Sequence, residues 1–171
     1  MKIEQIYTGC LAQGAYYIVS EKEAAIIDPL RETKPYIDRL EKDGVKLKYI
    51  FETHFHADFV SGHLDLSKKT GAPIVYGPTA EPDFEAIIAE DNQVFELGDI
   101  KIKVLHTPGH TMESSTFLLI DENGKETAIF SGDTLFLGDV GRPDLAQKAA
   151  HMTQEELAGL LSDSLPNKIA P

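Results

Sequence analysis

Five of the six histidines fall in two short stretches, His54, His56 and His63 in one and His106 and His110 in the other. Imidazole is a common metal ligand, and the run Thr53-His54-Phe55-His56-Ala57-Asp58 sets His54, His56 and Asp58 at alternate positions, which an extended backbone turns to one face. In His106-Thr107-Pro108-Gly109-His110-Thr111, the Pro and Gly force a turn that lifts His110 out of the preceding strand. Ser131-Gly132-Asp133-Thr134 adds a carboxylate at the end of a third predicted strand. Three strand ends thus present His, His and Asp, a donor set that suits a first-row divalent ion without a thiolate. Cys10 is the only cysteine, which rules out a Cys-based zinc cluster and an intrachain disulfide.

The elements that must position these residues follow from hydrophobic period. Runs at Ile3 to Tyr7, Tyr16 to Val19 and Ala24 to Ile27 predict an N-terminal antiparallel meander. Tyr36, Ile37 and Leu40 then fall at helical spacing over Lys34 to Asp43, with Gly44 as the stop. Val45 to Phe51 reads as a strand ending where Thr53-His54 begins, Ser61 to Lys69 as a helix stopped by Gly71, and Pro73 to Tyr76 as a short strand. Further strands are predicted at Gln93 to Leu97, Ile100 to His106, Thr116 to Ile120 and Thr127 to Ser131. Thr153-Gln154-Glu155-Glu156 is a capping box that opens a last helix, through about Asp163. Mixed α and β, with a mostly antiparallel set of strands, is the expected class.

Composition sets limits. The 171 residues suit one domain, with 42% hydrophobic and 26% charged residues and no repeat or linker. A formal charge of -12 with scattered lysines and arginines argues against a nucleic-acid partner. No apolar run approaches the roughly 18 residues that span a bilayer. The Met-Lys-Ile-Glu start lacks a secretory apolar region, and one cysteine suits a reducing compartment, so no membrane partner and a cytoplasmic address are expected.

The histidine motif, with its distant His and distant Asp, resembles the metallo-β-lactamase superfamily, whose motif is His-x-His-x-Asp-His. Within it, Glu52 to His63, Thr107-Pro108-Gly109-His110-Thr111, Ser131 to Phe136, the Gly141-Arg142-Pro143-Asp144-Leu145 stretch and Leu11-Ala12-Gln13 look most like the persulfide dioxygenases, some of which are fused to rhodanese domains. The resemblance implies an αβ/βα sandwich. The family continues through a further strand and a His-containing turn, so a C-terminally incomplete single domain over residues 1–171 is expected. In place of the last His of the motif stands Phe59, whose ring has no lone pair for a second metal. A single ion is therefore expected, and the resemblance makes it Fe(II), held by His54, His110 and Asp133, with zinc as the alternative.

By the same resemblance the chain is expected to be an oxidoreductase, turning a low-molecular-weight persulfide such as glutathione persulfide, with dioxygen, into sulfite and thiol. A rhodanese domain and a second copy of the chain are its implied macromolecular partners. The competing readings are a zinc thioester hydrolase of the glyoxalase II type and a shortened metal-binding relative without turnover. His56 and Asp58 either join the ligands or orient them, and Arg142 either binds a substrate carboxylate or forms a surface pair with Asp144. Asp28, before Pro29, reads as a turn-capping residue, and His63 and His106 read as packing or hydrogen-bonding residues.

Overall fold

The computed structural model describes residues 1–169. Strands β1 (Lys2–Thr8), β2 (Gln13–Ser20) and β3 (Glu23–Ile27) form the expected antiparallel meander. Helix α1 (Lys34–Asp43) follows, with Pro35 in its first turn, where a missing N–H is harmless, and Gly44 closing it in the left-handed conformation at φ 62°. β4 (Lys46–Phe51), helix α2 (His63–Thr70), β5 (Ile74–Tyr76) and β6 (Ile87–Ile88) extend the same sheet. Its order is β1-β2-β3-β4-β5-β6, and from β3 onward the pairing is parallel, with α1 and α2 supplying the first two crossovers and the loop over 77–86 the third.

The second sheet is antiparallel, in the order β10-β9-β8-β7, built from β7 (Val94–Leu97), β8 (Ile100–His106), β9 (Ser115–Ile120) and β10 (Glu126–Phe130). A short helix α3 (Gln147–Ala150), α4 (Gln154–Ser164) and a π-helical turn (Leu165–Ile169) close the described chain. The capping box of α4 is formed on both sides, Thr153 Oγ1 accepting from Glu156 N and Glu156 Oε2 from Thr153 N. Among the described residues no helix is long and apolar enough to cross a membrane.

Two apolar layers hold the sheets. Ile18, Ile27, Phe51 and Val75 of the first sheet meet Phe95, Ile102, Val104, Phe117 and Leu119 of the second. On the other face of the first sheet, Tyr17, Ile26 and Ile50 pack against Tyr36 and Leu40 of α1 and Leu66 of α2. The expected α+β sandwich is therefore present. Phe51 is central to it: its ring lies 4.8 Å from that of Phe117 and 5.4 Å from that of Phe95. Truncating such a buried ring costs about 3–5 kcal/mol. Because Phe51 ends β4, this packing fixes the base from which the histidine-bearing loop departs.

Candidate metal centre

The chain leaves β4 through Glu52, Thr53 and His54, all buried. Three contacts pin this segment. The carbonyl of Thr53 accepts from Ser115 N at 2.9 Å, the N–H of Phe55 donates to Glu113 Oε1 at 3.0 Å, and the N–H of Thr53 donates to Asp28 Oδ1 at 2.7 Å. The loop between β8 and β9 carries His110, and the 3₁₀ turn Gly132–Thr134 after β10 carries Asp133. Ligand atoms of His54, His110 and Asp133 all lie within 4.8 Å of one another. His110 Nε2 is 3.5 Å from Asp133 Oδ2, and the rings of His54 and His110 stand perpendicular with centroids 4.9 Å apart.

The tautomers of both imidazoles suit a cation. Thr53 Oγ1 donates its proton to Asp28 Oδ2 at 2.8 Å, so in its 3.0 Å contact with His54 Nδ1 the ring must be the donor. His110 Nδ1 faces the carbonyl of Arg142 at 3.0 Å and must donate as well. Each ring therefore turns an unprotonated Nε2 inward, the arrangement in which metal-bound histidines are usually held. Burial pushes His54 down to about 3, keeping it neutral. Burial, aided by the carboxylates of Asp58 and Asp28 and opposed by His110 and His56, raises the carboxyl of Asp133. A cation would relieve that crowding of negative charge.

Glycine admits the close approach on which this arrangement depends. A Cβ on Gly141 would stand 1.8 Å from the carbonyl oxygen of Asp133 and 3.1 Å from His110 Cβ. Gly109, at φ +140°, lies so near α4 that a Cβ would meet Leu161 N at 2.5 Å. Ser164 Oγ also reaches Pro108 O at 3.0 Å, so the last helix buttresses the turn that holds His110.

His56 and Asp58 lie outside this trio. His56 Nε2 sits 3.1 Å from Asp28 Oδ1 and 3.5 Å from Glu52 Oε2, forming a second cluster behind the first. Burial alone would lower His56, but Asp28 and Glu52 outweigh it and push it up to about 9. Asp28, in turn, is held below the usual carboxylate range: burial opposes this, and the charge and hydrogen bond of His56 overcome it. Asp58 is exposed and lines the cavity above Asp133. Phe59 stacks on His56 with centroids 4.3 Å apart. His63 packs against Phe84 at 5.0 Å beside Glu52, and His106 Nε2 meets Met112 O at 2.8 Å, both as expected of packing and hydrogen-bonding residues.

Sequence reading missed Asp28 and Glu52. The Asp28-Pro29 pair has the same form as a turn cap, and Glu52 has no pattern to mark it until its buried position against His56 and His63 is known. Arg142 contributes to the centre through its backbone oxygen. Its guanidinium is largely exposed and makes two bonds to Asp144, at 3.0 and 2.6 Å.

The model of the metallo-beta-lactamase superfamily matches residues 8–169, and the chain belongs to that superfamily. A metallo-beta-lactamase from Staphylococcus aureus is 38% identical, with a TM-score of 0.85 over all of this chain and 53% of that one. ETHE1 from Myxococcus xanthus is 26% identical, with a TM-score of 0.83 over 99% of this chain and 70% of that one. The hydroxyacylglutathione hydrolase of Tolumonas auensis is 36% identical over 156 residues, 88% of this chain and 58% of the relative. The chain spans about half the length of the curated relatives it matches.

These likenesses correct one expectation. The motif flanks predicted an oxidoreductase, whereas the curated relatives carry the name hydroxyacylglutathione hydrolase, from Pelagibacter ubique to Arabidopsis thaliana. The flanking residues that suggested oxidation shape the loops of the metal centre, and loop shape does not specify which reaction the ion promotes.

Proposed function

We propose that the chain holds one divalent metal ion between His54, His110 and Asp133 and uses it to hydrolyse thioesters of low-molecular-weight thiols. The observation that carries this reading is the pair of Nε2 lone pairs, fixed by Thr53 and by the carbonyl of Arg142, converging with Asp133. Hydrolytic zinc sites commonly use three protein ligands of this kind, two histidines and a carboxylate, with one position left open. The names of relatives 34% and 36% identical support the reaction class.

When bound, the ion supplies Lewis acidity toward a thioester carbonyl and toward water. The chain's own residues orient and balance. Thr53 and the Arg142 carbonyl keep both imidazoles in the donor tautomer. Asp58 offers a carboxylate oxygen on the cavity wall to take a proton from water. Cationic His56, held by Asp28 and Glu52, offsets part of the acidic charge. Phe59 offers no donor, so the reading is of a single ion, and zinc suits its nitrogen and oxygen ligands.

The test pairs metal analysis with two assays on the same preparation. One zinc per chain is expected, with thiol release from S-hydroxyacylglutathione or a simpler thioester that disappears in Asp133→Asn together with the metal. Because Phe59 departs from the two-metal motif, an iron-loaded sample is also offered persulfide in an oxygen electrode. Oxygen uptake from a chain that cleaves no thioester would overturn the proposal.

A further inference from the structure

The cavity above Asp133 is about 610 Å³, enough for a small organic tail, and its wall has an uneven chemistry. Among the described residues that line it there is no lysine or arginine, and the carboxylates of Asp28, Asp58 and Asp133 outnumber the one imidazole, that of His56. The guanidinium of Arg142, expected from the sequence as one candidate partner of a substrate carboxylate, is absent from the wall and bonded to Asp144. The chain as a whole carries -12, so an anionic tail is repelled on approach as well as at the wall.

The rest of the wall is apolar. Tyr7, Leu11, Phe136 and Leu137 stand exposed at its mouth, and Leu137 is fully so. Large side chains left in water around a concave polar centre mark a ligand groove. Deeper in, Tyr16 and Phe130 pair at 4.7 Å with their rings tilted by 60°, an aromatic base against which a second ring can pack. Gln5 Nε2 donates to Tyr16 Oη at 3.1 Å, so the hydrogen-bonding capacity nearest this base belongs to uncharged groups.

Building on the thioester reading, we infer that this cavity selects substrates whose sulfur-linked tail is uncharged and apolar, aromatic for preference, over the doubly carboxylated tail of glutathione. Leu137 and Phe136 on one side and Tyr7 and Leu11 on the other are the residues that set this preference.

The experiment compares three thioesters with one acyl group, made from benzyl mercaptan, N-acetylcysteamine and glutathione, on the zinc-loaded chain. kcat/KM is expected to fall in that order, and added salt should narrow the deficit of the glutathione ester by screening repulsion. In Leu137→Lys, a change at a fully exposed position, the ratio of benzyl to glutathione ester should drop about tenfold or more. A wild-type preference for the glutathione ester, or an unchanged ratio in Leu137→Lys, overturns the inference. Calorimetric binding of the uncleavable benzyl methyl thioether and S-methylglutathione gives a readout without turnover. If no ester is cleaved but the benzyl thioether still binds more tightly, the hydrolase reading fails and the selectivity stands. If the glutathione thioether binds more tightly, the selectivity fails whatever the esters do.

Discussion

Thr53 gives both of its donors, backbone N–H and side-chain hydroxyl, to the two oxygens of Asp28. The hydroxyl oxygen is thereby left as an acceptor, and His54 Nδ1 is 3.0 Å away. One threonine thus transmits the charge of a buried carboxylate into the tautomer of a candidate metal ligand.

Thr53→Val keeps the shape and removes this link. Asp28 Oδ2 and His54 Nδ1 would each lose a buried partner, a loss of about 1–3 kcal/mol in stability for a group left unsatisfied. Metal affinity should fall by about 10- to 100-fold, the usual cost of removing an orienting partner. Urea unfolding of the metal-free protein reads the first, and competition with a chromophoric chelator the second. Unchanged zinc affinity in a folded Thr53→Val variant would remove Thr53 from the metal centre.

The turn bearing His110 should be intolerant of any side chain at Gly109. Its φ of +140° disfavours an L-residue, and a Cβ there would run into the backbone of Leu161. Gly109→Ala is expected to cost roughly 2–4 kcal/mol, from strain and overpacking together. It should also weaken metal retention, because α4 can move away only by releasing the turn. Gly124, in the tip of the β9–β10 hairpin with nothing near its Cβ, serves as the comparison: Gly124→Ala meets φ strain but no clash and should leave metal content intact. Thermal melts and metal content of the two variants check this, and equal metal loss in both would refute it.

The two sheets are also joined electrostatically. Glu23 of β3 accepts from Lys48 Nζ at 2.8 Å and from the N–H of Gly98, in the turn between β7 and β8, at 2.7 Å. The bond from Lys48, then that from Gly98, hold the Glu23 carboxyl below its ordinary value of 4.5. A depressed folded-state value means that this stabilisation is full above pH 4.5 and is lost as pH falls through the lower folded value. The wild type should therefore melt above Glu23→Gln at neutral pH, and the difference should close on acidification below pH 4.5. The pair is partly exposed, so the gap should be small and shrink in salt. A gap that widens in acid would contradict this sign.

Much of the scaffold was legible because local chemistry and tertiary structure agree. Gly44 and Gly71 end α1 and α2 in the left-handed conformation, and Thr153 with Glu156 opens α4. The loops after β4, β8 and β10 carry the chemistry-bearing residues that the strand ends predicted. What stayed hidden depends on contacts distant in sequence. Ile87 and Ile88 form a strand only because Tyr76 lies beside them, and two residues carry no period. Asp28 and Glu52 acquire a role only once β3 and β4 lie side by side. Arg142 acts through a carbonyl that any residue would possess, so its side chain drew attention to the wrong atoms. The reaction class misled for a related reason: the motif specifies where an ion can sit, and the wall that selects its substrate comes from β1, β2 and the loop after Asp133, which the motif does not include.

The contact of α4 with Gly109 and Pro108 also orders events in time. Chains emerge from the ribosome N-terminus first, so β4, the β8–β9 loop and the Asp133 turn are all made before Leu161 and Ser164 exist. During that interval the His110 turn lacks its buttress, and only the carbonyl of Arg142 is there to orient its imidazole. Ion capture in the final geometry therefore waits until α4 has been made and docks on the turn, after both sheets are already in place.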